Sequence, residues 1–535
     1  MKKISYIKEI KRYNTLSKNV KTLLGIFWIV AIILPLLNMF SYISSEDVFK
    51  ILAGERFINA LGNSMVVSLT ATLFAVSIGG LLAWCTSRTA IRFTSIFAVL
   101  FSIPMLIPSI SHGMGLIILF GTNGIIKNFF HWEGNIYGFW GIVIGSVMYS
   151  LPVAFLMILD ILKFEDSTPY EAAEVMGLSK WDRFCAITLP YLRKPMISVI
   201  FATFTMVITD YGVPLMIGGK YMTLPVMMYQ DVIGMLDFGK GSVIGTVLLI
   251  PALIACLLDV LNRDKGNSAY VLKPFVIKKK KFRDGFAYCV CIISCIVLFL
   301  PIATFSCVAF VKKYPINMTF SLNNVEQAIR MDAGNYLLNS LIIAVFVSVI
   351  GVGVAILCAY FTARMSSKYT KILHLLSIIS LAVPGLVLGL SYVMFFKKTF
   401  IYGTFAVLIL VNTMHFFASP YLMIYNTFSK LNINLEAVGK TLGIRRFYIL
   451  KDVLLPMSKE TILEMVSYFF VNSMMTISAV SFLASTDNKP IALMITQFEG
   501  QMQLECAAFV SFIILVVNMF VKGSVYLLKR RMREV

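Results

Sequence analysis

The 535-residue chain is 58% hydrophobic and 14% charged, with a mean hydropathy of +0.83, where a soluble domain carries about 25% charged residues. This composition excludes a soluble enzyme or binding module and predicts an integral membrane protein. Its formal net charge of +20 does not point to nucleic acid, because the basic residues lie between apolar segments instead of among stacking aromatics in a polar domain.

In chain order, Lys2, Lys3, Lys8, Lys11, Arg12, Lys18 and Lys21 precede an apolar run from about Leu23 to Ile43. The run is longer than a signal-peptide core and lacks a small-residue cleavage site, so it reads as a retained first span. Further spans fall near 61–86, 94–120, 138–161, 196–218, 241–261, 284–311, 337–361, 372–396, 402–427, 461–484 and 506–528, about twelve altogether. With an inside start, 36 of the 47 Lys and Arg lie on the cytoplasmic side, which agrees with the positive-inside bias and puts both termini in the cytoplasm. The nine cysteines read as small buried hydrophobes, and Cys289, Cys291 and Cys295 match no thiolate metal spacing. Gly234 to Lys240 has nearly the spacing of a phosphate loop, but Gly241 stands where Ser or Thr is required, so no nucleotide site is expected. No catalytic or metal-ligating constellation is legible.

A polar island interrupts the apolar segments from Thr168 to Pro190. Thr168 can cap a helix with Glu171 three residues on as its reciprocal partner, Pro169 suits the first helical position, and Gly177 supplies a left-handed stop. Ala172 and Ala173 leave a small-residue surface open to close approach, and Pro190 ends the second helix of the island. A second copy runs through Asn434, Glu436, Ala437, Gly439, Gly443 and Pro456, with proline 13 positions after the glycine in both. Ala437 stands where Glu171 stood and Glu436 is one place early, so Glu436 is expected to contribute little.

The rest of the chain repeats as well. Asn63, Ser64, Ala83, Arg88, Pro108, Gly113 and Phe120 recur as Asn339, Ser340, Ala359, Arg364, Pro384, Gly389 and Phe396, at an offset of 276. Leu156 to Ile158 and Gly177 recur as Leu422 to Ile424 and Gly443, at an offset of 266. The expected fold is an all-α membrane protein of two homologous six-helix halves in a parallel repeat. The segments are a cytoplasmic N-terminal stretch 1–22, a first half 23–261 with its island at 163–195, a basic linker 262–283, a second half 284–528 with its island at 428–459, and a basic tail 529–535. Lys278 to Lys281 in the linker suit anionic lipid.

Polar residues inside spans mark a candidate pathway, since a carboxylate near the membrane centre costs about 2.5–3.5 kcal/mol on insertion scales. Asp210 and Tyr211 follow the first island, and Asn472, Ser473, Thr476 and Ser478 lie in the matching region of the second half. Either these residues face a polar route between the halves, or Asp210 is hydrated near the outer surface.

Glu171-Ala172-Ala173, Gly177 and Ile187-x-Leu189-Pro190 resemble the cytoplasmic EAA loop of ABC-importer permeases, and the two halves resemble the fused permeases of the iron(III) and 2-aminoethylphosphonate types. The resemblance implies that Glu171, Ala172, Ala173, Gly177 and Pro190, with Glu436, Ala437, Gly439, Gly443 and Pro456, dock two copies of an ABC ATPase subunit. That partner would bind ATP, and this chain no cofactor. It further implies an extracellular solute-binding protein as partner and a bacterial plasma-membrane location. The run Asn472 to Leu483 looks closer to the phosphonate type, so 2-aminoethylphosphonate is the expected solute and ferric iron the alternative. An ion-coupled secondary transporter would share the parallel repeat and leave the paired loops unexplained.

Overall fold

The computed structural model describes residues 19–131, 133–262, 273, 275–365, 367–432 and 434–534. Except for a short antiparallel hairpin, β1 (Val311–Lys313) and β2 (Asn317–Phe320), its regular elements are helices. Among the described residues nine helices are long and apolar enough to span a membrane. They include α1 (Asn19–Phe40), α2 (Glu55–Arg88), a segment that begins with α3 (Ser109–Phe120), and α4 (Phe139–Lys163). Between α4 and the span that ends in α6 (Leu189–Ile208) lies the short helix α5 (Thr168–Val175). After α7 (Gly212–Ile217) and α8 (Leu224–Tyr229) come α9 (Phe238–Asn262), α10 (Lys281–Val308) and α11 (Ala333–Arg364). Two bent pairs raise the number to eleven. Lys368–Ala382 meets α12 (Gly385–Phe396) at 108°, and α13 (Phe405–Phe416) meets α14 (Ala418–Lys430) at 54°. The chain closes with α15 (Leu435–Thr441), α16 (Lys459–Met475), α17 (Leu493–Gly500) and α18 (Leu504–Glu534).

The count departs from twelve where the backbone breaks. The expected span at 461–484 is the 17-residue α16, which stops at an extended Thr476. The expected span 94–120 divides into Thr94–Leu106 and α3. Proline causes the second of these breaks: a residue preceding it is driven out of the helical region. Ile107, before Pro108, has φ −122° and ψ 151°, and Val383, before Pro384, has φ −110° and ψ 109°. Both halves therefore break at the same place. A third division, at Thr209 to Tyr211, separates α6 from α7.

The halves are contiguous in sequence but interleaved in space. Trp28 of α1 is fully buried and meets Phe417 edge to face at 4.7 Å, and Tyr392 of α12 donates to the Ala31 carbonyl at 2.6 Å. In the reciprocal exchange, Ala287, Cys291 and Leu298 of α10 join the first half's core. Each half thus buries the other's first helix. Ser111 and Ser511 share a hydrogen bond of 2.8 Å across the interface, and Asn518 donates to the Leu106 carbonyl at 2.8 Å.

Helices α2 and α11 contain 34 and 32 residues, or about 50 Å at 1.5 Å per residue, more than the ~30 Å hydrocarbon layer. Their carboxyl ends lie beside α5 and α15. An ion pair of 2.7 Å between Arg533 and Glu460 sets the end of α18 beside the start of α16. The side of the molecule that carries these ends is called the loop face below.

Candidate functional site

The first island is a helix, a left-handed stop and a second helix, as its residues predict. Gly177 has φ +76° and Gly443 φ +72°, a conformation that is strained for residues with a Cβ. The amide of Leu178 reaches the Ala173 carbonyl at 3.0 Å, and that of Ile444 reaches the Gly439 carbonyl at 2.8 Å, closing the same motif twice. Two expectations fail here. Ser167, and not Thr168, holds the cap position, and Pro169 is consequently the second helical residue. The Thr168 amide bonds instead to Asp166 Oδ1 at 3.1 Å, as that of Asn434 does to Asn432 Oδ1 at 2.9 Å. Asn434 does stand at the cap position of α15, although its side chain makes no cap bond.

Pro190 does not end a helix, and helix runs unbroken from Lys180 to Ile208. A π turn at Phe184–Thr188 precedes Leu189 and Pro190, and another at Leu450–Leu454 precedes Leu455 and Pro456. Proline lacks the donor for an i−4 bond and crowds that carbonyl, and the wider turn accommodates both demands.

The loops are tethered by arginines at the ends of α2 and α11, Arg88 partly buried and Arg364 with a buried side chain. Arg88 donates to the Leu162 carbonyl at 2.8 Å and to Glu165 at 2.5 Å. Arg364 donates to Glu436 at 2.6 and 2.5 Å and to the carbonyls of Phe428, Leu431 and Asn432. The Arg364 side chain is 2% exposed and that of Glu436 14%. Glu436 is therefore no bystander, contrary to the expectation from its register. It occupies the place of Tyr170 at the offset of 266, and Tyr170 bonds to Glu165 and, at 2.6 Å, to Thr188. Leu431 stands where Glu165 stood. The carboxylate has moved five residues along the chain, and the clamp is retained.

Glu171 is exposed and points to the linker. Lys273 Nζ lies 2.6 Å from its carboxylate, and Ser167 Oγ donates to it at 3.2 Å. These contacts, the lysine's foremost, hold the carboxyl below its ordinary pKa. The Lys273 carbonyl accepts the Ser167 amide at 3.0 Å. Phe275 lies 5.1 Å from the Tyr170 ring and 4.0 Å from the Arg88 guanidinium. The remaining residues of 263–274 lie outside the described set.

Ala172 and Ala437 are exposed, whereas Ala173 and Gly439 are buried, so the latter two do not present an open surface. Gly439 is covered by Ile449, against which a Cβ would collide. The exposed apolar side chains are others: Met176 and Trp181 in the first loop, Leu442 and Phe447 at the same offset in the second, and Val175 beside them at 91% exposure. Such patches mark contact surfaces. Their recurrence at the offset of 266 was the available signal, since Met176 and Leu442 immediately precede the glycine and Trp181 and Phe447 follow it by four residues.

The pathway candidates divide. Asp210 accepts from Ser109 Oγ at 2.6 Å and from the Val213 and Gly212 amides at 3.1 and 3.3 Å, capping α7 and joining it to α3. Tyr211 reaches across the halves to Ser481 at 2.8 Å and stacks on Tyr229 at 5.0 Å. Asn472 bonds within its own helix to the Tyr468 carbonyl, and Ser473 and Thr476 are buried. Ser478 sits against Gly385. Only Tyr211 of the six is brought to the opposite half by a hydrogen bond to a hydroxyl there.

Two interleaved halves with matching loops on one face are the architecture of a two-half membrane permease of a binding-protein-dependent ABC importer. Residues 75–263 and 351–534 each match the family described as binding-protein-dependent transport system inner membrane component. The chain belongs to that family. It is 24% identical to the ferric transport system permease protein FbpB of Actinobacillus pleuropneumoniae, over 83% of this chain and 67% of that one. It is 23% identical to the Fe(3+)-transport system permease protein FbpB 2 of Haemophilus influenzae, over 94% and 98%. A half-length relative, the molybdenum transport system permease protein ModB of Azotobacter vinelandii, is 28% identical over 38% of this chain and 92% of its own.

Proposed function

We propose that the chain forms the translocation pathway of an ATP-driven importer of ferric iron, with one ATPase subunit seated under α5 and another under α15. The observation that carries this reading is the paired loop architecture. Two left-handed glycine stops, two π turns before proline and two arginine clamps recur at corresponding places on one face. Exposed apolar residues crown both loops, the surface that a partner protein would cover. The loop face is then cytoplasmic, both termini lie in the cytoplasm, and a binding protein delivers solute to the opposite face. Iron is preferred to 2-aminoethylphosphonate because the full-length relatives compared above carry ferric names.

The test is uptake by proteoliposomes that contain the chain, its ATPase and its binding protein. Radiolabelled ferric iron should accumulate only with ATP. ATP-dependent accumulation of 2-aminoethylphosphonate without iron would overturn the solute assignment, and uptake driven by an ion gradient without ATP would overturn the class.

A further inference from the structure

On the side away from the loop face, a cavity of about 600 Å³ lies between the halves, lined by Tyr229, Tyr336, Ser481, Lys489, Thr496 and Gln497 among others. Its position follows from the repeat. Asn63 and Ser64 bond to the Met222 carbonyl and the Leu224 amide, and Asn339 and Ser340 bond to the Lys489 carbonyl and the Ile491 amide. At the offset of 267 that these pairs define, Tyr229 of α8 and Thr496 of α17 occupy equivalent places. The two equivalent helices therefore face one chamber. Beneath it, the Tyr211–Ser481 hydrogen bond joins the halves, with Tyr211 stacked on Tyr229 in the first.

Lys489 is the cation of this chamber. Its ammonium group donates to Gln497 Oε1 and lies 5.6 Å from the Tyr336 ring. It is partly buried, and among the described residues no carboxylate lies within ion-pair distance of it. Glu499, on the same helix as Gln497, acts electrostatically on Tyr229 and is not paired with Lys489. A partly buried charge without a counter-ion is costly to maintain, and Tyr229, Ser481 and Thr496 line the space where an anion would sit, the Ser481 and Thr496 hydroxyls donating to the Ile477 and Leu493 carbonyls.

We infer that this chamber is a solute subsite for an oxyanion, with Lys489 as its charged partner and the Tyr229 hydroxyl as a donor. The inference rests on the permease reading. A bare ferric ion would be repelled by the ammonium group, so iron would occupy the chamber only as a complex whose ligands bring negative charge. A free oxyanion such as phosphate or a phosphonate would meet the same groups.

The test is calorimetric titration of the full chain in lipid nanodiscs with inorganic phosphate, 2-aminoethylphosphonate and ferric citrate in turn. At least one probe should bind, with an affinity that Lys489→Gln lowers about tenfold and Lys489→Arg largely keeps. Tyr229→Phe, which retains the ring, should cost about threefold. Binding of ferric citrate alone identifies a complexed-metal source, and binding of phosphate or phosphonate alone a free oxyanion. No binding by the wild-type chain, or equal binding by Lys489→Gln, overturns the site. Proteoliposome uptake separates this outcome from failure of the permease reading: ATP-driven transport that Lys489→Gln leaves unchanged would reject the subsite and keep the permease.

Discussion

Glu165 and Glu436 perform one task from two different positions. In the first half the clamp runs from Arg88 through Glu165 to Tyr170, and in the second Glu436, at the place of Tyr170, reaches Arg364 directly. Removing one member of a buried ion pair leaves the other as an uncompensated charge, at a cost of about 3–5 kcal/mol. Glu436→Ala should therefore lower stability by about 3 kcal/mol in thermal unfolding, and combining Leu431→Glu with Glu436→Tyr should recover more stability than Glu436→Tyr alone. Equal stability of Glu436→Ala and wild type would remove the clamp from the account. Asp210 also acts locally. Its carboxylate caps α7, so Asp210→Ala should cost about 1–2 kcal/mol of stability and Asp210→Asn markedly less; loss of uptake at unchanged stability would instead favour a pathway role. The arginines were visible in the repeat, but their partners were not. Those contacts span 77 and 72 residues and use non-equivalent carboxylates, which no local pattern encodes.

The loops were the most legible elements, because glycine at a left-handed stop and proline at a helix start have specific backbone consequences. Gly443→Val should strain the stop by about 1–3 kcal/mol and abolish ATPase co-purification, whereas Gly443→Asn should retain most of it. Retained co-purification by the valine variant would show that the stop does not shape the docking surface. The linker was legible only as a charge run, and its contact with α5 depends on tertiary placement of Lys273 and Phe275. The Glu171 carboxyl is held below the ordinary value of 4.5 chiefly by Lys273. A depressed folded pKa means that the contact's contribution is fully present above that value and is lost as pH falls through the lower folded one. Protection of the linker from proteolysis should accordingly persist through the ordinary carboxylate range and fail only at lower pH. Lys273→Ala should abolish this pH dependence.

At the scale of the molecule, the exchange of first helices makes the two halves one folding unit. Hydropathy and the repeat defined the halves, but they contain no signal for which half each first helix joins, since both faces of α1 and α10 are apolar. Trp28, in the first half by sequence, is buried against Phe417 of the second. Trp28→Ala should therefore destabilise the second half by about 3–5 kcal/mol, read by unfolding with a probe on α14. An unchanged second half would contradict the exchange. The central claim, that each of two clamped loops seats one ATPase subunit, is tested most directly by native mass spectrometry of the purified transporter. The account predicts two ATPase subunits per chain, and loss of intact complex when Met176, Trp181, Leu442 and Phe447 are replaced by serine. One ATPase subunit per chain, or a complex indifferent to those substitutions, would contradict it.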